Sequence, residues 1–152
     1  MAVNRRLVRA TPEDVWAVLA DGHAYEHFVV GTRDIRRVDA GFPAVGTRLH
    51  YRVGYGPLRK DGVTEVQGCV PGTQLVLEAE AWPVGTAVIV LEVEPAGVGT
   101  RVSLTERPAR GLAAKLHNPA ADLAIRVRNV ETLRRLAALA EGRAGGTERA
   151  AG

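Results

Sequence analysis

"AIRVRNVETLRRLAALAE", residues 124–141, decides the fold. Setting Arg126 at 0° and advancing ~100° per residue, Leu133, Ala137 and Val130 fall within roughly 40° of it, Leu123 near ~60° and Leu136 near ~280°. This spacing predicts one long amphipathic helix that begins near Pro119 and ends by about Gly142. Arg126 then stands in the middle of the apolar stripe, and Asn129, near ~300°, stands inside it. Arg128, Glu131 and Arg135 fall on the opposite side, where charges are solvated. An arginine in a core-facing stripe needs a carboxylate partner, a route to water or a ligand.

A helix with one apolar stripe needs one apolar surface to lie on, and the preceding chain supplies it. "AVNRRLVRA" reads as a first strand. "TPEDVWAVLAD" opens a helix, with Thr11 as N-cap, Pro12 at the first helical position and Asp14 near the capping-box place. Gly22 breaks it, and "HAYEHF" reads as a second short helix. From residue 31 the period changes to two. "TRDIRRVD" is strand-like. "TRLHYRVG" sets Leu49, Tyr51 and Val53 against Arg48, His50 and Arg52. "VTEVQGCV" follows a "KDG" turn, and "PGTQLVLEAEAW" sets Leu75, Leu77, Ala79 and Ala81 against Glu78 and Glu80. "TAVIVLEVEP" sets Ala87, Ile89, Leu91 and Val93 against Glu92 and Glu94, and "GTRVSLTERP" is the last strand. Short Gly/Pro turns between such runs mark an antiparallel meander wet on one face. The order is strand, two short helices, six strands, long helix: an α+β domain over residues 1–142, with "GRAGGTERAAG" reading as a disordered Gly-rich tail over 143–152.

Composition bounds the function. The chain has 152 residues, 46% hydrophobic and 24% charged, which suits one globular domain. Its single cysteine, Cys69, allows no internal disulfide and favours a cytoplasmic setting. "MAVNRRLVRA" has no apolar core of a signal peptide, and no apolar run is long enough to span a bilayer, so no membrane insertion is expected. The net charge of +3 is spread along the chain rather than clustered, and no nucleic-acid partner is expected.

Specific chemistry is sparse. His23 and His27 stand at i, i+4 without a third ligand, so no metal is expected. Ser103, the one serine, lies outside any nucleophile elbow. "GYGPLRKDG" is followed by no helix and is no dinucleotide loop, so no cofactor is expected. Tyr51 belongs to the inward set of its strand. It either lines a pocket or fills the core with its hydroxyl bonded internally. Glu106 is an inward carboxylate available to Arg126.

"ATPEDVWAVLADGHAYEHFVVGT", "PAVGTRLHYRVG", "PGTQLVLEAEA", "GVGTRVSLTERP" and "RNVETLRRLAALAE" together resemble the polyketide cyclase/dehydrase-like branch of the SRPBCC superfamily, over roughly residues 2–142. The resemblance implies the START-like helix-grip fold: a curved antiparallel sheet of about seven strands wrapped around a long C-terminal helix, with a cavity between them. It also implies a small hydrophobic ligand, lipid- or polyketide-like. Leu49, Tyr51, Leu77, Ile89 and Leu91 would then form the cavity wall. Arg126 and Asn129 would be polar anchors, and Trp82 and His117 would stand near the mouth. Three functions follow: a binding module, an aromatase/cyclase-type enzyme in which Arg126 or Tyr51 stabilises an enolate, or an interaction or stress-related module with a vestigial cavity. The resemblance carries no catalytic motif onto these residues. An exposed sheet edge allows a homodimer.

Overall fold

Alternating apolar and charged residues build a sheet with one inner face, and one helix must lie on it. The structure, a computed structural model, describes residues 1–55, 57–80, 85–111 and 118–151. Strand β1 (Ala2–Val8) leads into helix α1 (Pro12–Leu19), a 3-10 turn (Gly22–Ala24) and the one-turn helix α2 (Tyr25–Phe28). Strands β2 (Arg33–Val38), β3 (Arg48–Tyr55), β4 (Leu58–Val70), β5 (Gln74–Glu80), β6 (Thr86–Ala96) and β7 (Gly99–Arg110) follow, and helix α3 (Pro119–Ala151) ends the chain. The seven strands form one antiparallel sheet in the order β1-β7-β6-β5-β4-β3-β2. This is the helix-grip architecture. Only β1 is out of sequence: it leaves the meander order and closes against β7, with Ala2 opposite Glu106 and Val8 opposite Thr100.

Local chemistry explains the starts and stops. Thr11 Oγ1 accepts from the Asp14 amide at 3.1 Å and donates to the Asp14 carboxylate at 3.0 Å, so the cap of α1 is reciprocal. The helix stops earlier than Gly22, at Leu19 with Ala20 as its C-cap, and Gly22 opens the 3-10 turn, where a Cβ would lie 2.7 Å from Leu49 Cδ2 and from both methyls of Val38. The buried Tyr25 ring packs on Phe28 and Phe42, with centroids 4.7 and 5.8 Å away, and its hydroxyl donates to the Leu19 carbonyl at 2.7 Å. "KDG" is not a turn. Lys60, Asp61 and Gly62 lie within β4, paired with Val53, Arg52 and Tyr51, and the reversal falls earlier, between Tyr55 and Leu58. Polarity marked those residues as a turn, but cross-strand pairing with β3 keeps them extended.

The inner face of the sheet and the helices share one core. Val66, Leu75, Leu91, Val102 and Leu104 meet Val15 and Leu19 of α1 and Leu133, Leu136, Ala137 and Ala140 of α3. The buried face of α3 is therefore Asn129, Thr132, Leu133, Leu136, Ala137 and Ala140. Its centre lies about 50° away from Arg126 on the helical wheel. Leu123, Val127 and Val130 are exposed, at 63%, 64% and 56%. Arg126 is exposed too, so it does not stand in a buried stripe. Counting Leu123 and Val130 as core rotated the apparent stripe onto it. The helix also runs on through Gly142 to Ala151, where a stop and a tail were expected. Ala144 packs against the core, and no neighbouring atom lies near Gly142, Gly145 or Gly146, so nothing forces the backbone out of helix.

Leu136→Ala should cost about 3 kcal/mol of stability, as a buried leucine truncation does. Val130→Ala should stay within about 0.5 kcal/mol of wild type, as an exposed substitution does. Urea unfolding of the two variants checks which face of α3 is buried.

Candidate functional site

The register places unusually small residues side by side on the inner face. Gly62 stands opposite Tyr51, Thr64 opposite Leu49, Thr64 opposite Ala79, and Ala79 opposite Ala87. Opposed residues in an antiparallel pair point to the same face. These four therefore make a low floor running from β4 to β6. Gly62 is fixed at that size, since a Cβ there would lie 2.8 Å from Tyr51 Cε2. The next row, Val66, Leu77, Ile89 and Glu106, is taller and borders the floor on the core side. Ile89 and Ala79 are only half-buried although they face inward in the middle of the sheet. This low stretch, a hollow in the relief of the inner face, is covered at Gly62, Thr64 and Ala87, which are buried, and partly accessible at Ala79 and Ile89.

Two polar groups bracket it. On one side the Tyr51 hydroxyl and Thr64 Oγ1 are 2.7 Å apart, both buried. Desolvation, followed by the nearby Glu80 charge, raises the Tyr51 pKa above the ordinary phenol value, and the Thr64 bond only partly opposes this. Tyr51 is a neutral phenol at physiological pH. On the other side Glu106, 6% exposed, accepts from Asn129 Nδ2 at 3.0 Å and from Arg128 Nη2. Both donors meet the same oxygen, Oε2. Arg128 rather than Arg126 is the partner of Glu106. Its side chain, 41% exposed, reaches round the helix from the side that the wheel assigned to solvent.

The first turns of α3 are held above this end of the sheet by polar contacts instead of core packing. Asn4 Nδ2 donates to the Arg126 carbonyl at 3.1 Å, and the Met1 ammonium lies 3.5 Å from the Asp122 carboxylate. Asn4 Oδ1 is the one buried side-chain polar atom without a partner among the described residues. A depression of about 420 Å³ opens beside the same turns, lined among the described residues by Asn118, Pro119, Asp122, Leu123 and Arg126. The Arg126 guanidinium makes no hydrogen bond or ion pair among the described residues.

Of the residues singled out from the sequence, Leu49, Tyr51, Leu77 and Leu91 are buried on the inner face, Ile89 is half-buried there, and Asn129 is buried against Glu106. Arg126 lies at the rim instead of inside. Trp82 and His117 lie outside the described residues. His50 points away from the hollow. It lies 3.0 Å from Asp39 Oδ1, and that bond holds the Asp39 carboxyl below its usual range. Thr64, Ala79, Ala87 and Gly62 were not singled out. Ala79 and Ala87 stood in the inward sets of their strands, but Gly62 read as part of a turn, and the adjacency of the four lies in the register alone. Among the described residues no three His, Cys, Asp or Glu side chains stand together as a metal site, and no helix is long and apolar enough to cross a membrane.

Comparison with known proteins agrees with this architecture. A family model described as "polyketide cyclase / dehydrase and lipid transport" matches residues 2–141. No curated protein matches the sequence. Among solved structures, protein MLL2253 of Mesorhizobium loti superposes with a TM-score of 0.68 at 19% identity, over 92% of this chain and 96% of that one. Protein Mll3558 of Rhizobium loti gives 0.65 at 23% identity, over 90% and 94%. DynU16, a protein of the dynemicin biosynthetic locus, gives 0.67 at 16% identity, over 92% of this chain and 46% of that one. At these identities the likeness is one of fold.

Tyr51→Phe tests the buried phenol. In a spectrophotometric titration the Tyr51 phenol should ionise only above pH 10, and the variant should lack that step. A raised folded-state value adds stability below pH 10 that is lost as pH rises beyond it. Wild type should therefore lose more stability than Tyr51→Phe on passing above pH 10, which thermal melts at pH 8 and at higher pH would show.

Proposed function

Since the chain belongs to the polyketide cyclase/dehydrase and lipid transport family, we propose that it binds a small hydrophobic molecule, lipid- or polyketide-like, in the hollow between the sheet and the first half of α3. The observation that carries this reading is the row of small inward residues, Gly62, Thr64, Ala79 and Ala87, beside a half-buried Ile89. A sheet under selection for packing alone would fill those positions with Leu, Ile or Val, as it does one row away. An apolar recess with a few placed polar groups is what a small-molecule site requires. Leu49, Tyr51, Leu77, Ile89 and Leu91 supply the wall. Asn129 acts through Glu106, which it holds in place. Arg126, at the rim, meets the polar end of a ligand that reaches the surface, and its planar fork suits a carboxylate or phenolate.

The second reading is an aromatase/cyclase-type enzyme. It is favoured by one observation: a neutral phenol, Tyr51, and a carboxylate, Glu106, are both buried on the inner face of the sheet. Such groups can donate to and accept from a poly-β-ketone chain folded between them.

Native mass spectrometry of freshly purified protein, followed by extraction, should find a co-purifying apolar molecule. Ala79→Leu, which raises the floor, should weaken binding of the apolar dye anilinonaphthalene sulfonate at least about tenfold, at a stability cost of about 1–3 kcal/mol. Arg126→Ala should weaken an anionic ligand no more than about fivefold, since the guanidinium is exposed, and should leave neutral ligands unchanged. A hollow that takes no apolar probe in wild type would end this reading.

A further inference from the structure

We propose that Glu106 is the specificity-determining acceptor of the hollow, and that the ligands it selects carry a hydroxyl or phenol hydrogen on an apolar body. This rests on the hydrophobic-ligand reading above and adds to it the polarity of the ligand's buried end.

Glu106 is 6% exposed, on the inner face between Ala2 of β1 and Ile89 of β6. Burying a carboxylate is costly unless its oxygens are hydrogen-bonded. Here Asn129 and Arg128 both donate to Oε2, and Oε1 has no hydrogen-bond partner among the described residues. An ionised carboxylate has about four lone-pair sites, so half of its accepting capacity is left for something else. Oε1 is not sealed away as Asn4 Oδ1 is, which the structure counts as fully enclosed. Its neighbour across the strand pair is the half-buried Ile89, at the edge of the hollow.

The surrounding groups select the kind of ligand. The Arg128 guanidinium already offsets the charge of Glu106, so a cation is not required. A second carboxylate would meet the like charge of Glu106 at close range, and is disfavoured. The group that completes the free lone pairs of Oε1 is a neutral O–H.

The test uses a matched pair of probes, nonylphenol and its methyl ether, nonylanisole, each competing with anilinonaphthalene sulfonate. The two differ by one hydrogen-bond donor. Wild type should bind the phenol about tenfold more tightly than the ether, as expected for one hydrogen bond to a charged group. Glu106→Gln turns the preference off. Its amide oxygen must take the Oε2 place, because Arg128 and Asn129 both donate there, and the amide nitrogen then presents donors on the Oε1 side. The phenol-to-ether ratio should fall to about one. A ratio near one in wild type, or an undiminished ratio in Glu106→Gln, overturns the proposal and leaves hydrophobic binding intact. No binding of the dye or of either probe removes the hydrophobic-ligand reading itself, and this proposal with it. If Glu106→Gln does not fold, the wild-type ratio and that of Glu106→Asp, which withdraws the oxygens by one methylene, decide the matter. The Asp variant should also show a reduced ratio.

Discussion

One helix has to cover seven strands. A helix is about 10 Å wide, and strands spaced about 4.8 Å apart make a flat seven-stranded sheet more than three times that width. The sheet must therefore curl, and even then α3 cannot pack equally along its length. The molecule resolves this by dividing the helix. Leu133, Leu136, Ala137 and Ala140 pack into the core with α1, where small residues on the helix let it approach the sheet closely. The earlier turns are carried by polar contacts to β1 and to Glu106. The sheet in turn is low at Gly62, Thr64, Ala79 and Ala87.

Polar groups in that region tie the helix to the rest of the fold. Glu106 draws Asn129 and Arg128 down onto β7, fixing the height of the helix over the hollow. Thr132 Oγ1 accepts from the Val30 amide at 3.3 Å and ties the end of α2 to the same stretch of α3. A buried carboxylate is a poor way to gain stability, because a well-packed apolar group of the same volume often does as well. Its presence here makes more sense if its free oxygen is used.

The strands were legible because their alternation is dictated by a sheet with one wet face, and β3, β5 and β6 show it over most of their lengths. The long helix was legible for its period but not for its phase. Its buried face is built from Asn129, Thr132, Ala137 and Ala140 as much as from leucines, and small or polar residues carry little weight in a hydrophobic wheel. The exposed Leu123, Val127 and Val130 carry a great deal, and they turned the wheel toward Arg126. The same error hid Arg128, whose long side chain reaches Glu106 from a flank. Only the cross-strand register, which no single strand contains, reveals that Gly62, Thr64, Ala79 and Ala87 are neighbours.

The closing of β1 against β7 has a consequence for how the chain is made. β1 has one strand neighbour, and the pair that joins Ala2 to Glu106 spans almost the whole domain. On a ribosome adding about 5–20 residues per second, the first strand emerges several seconds before its partner exists. Throughout that time its edge, and the underside that later receives α3, have nothing to pair with. Arg5, Arg6 and Arg9 stand along that waiting segment. Charge on an unpaired strand discourages association with other chains, and the sheet can be completed only after β7 has been synthesised.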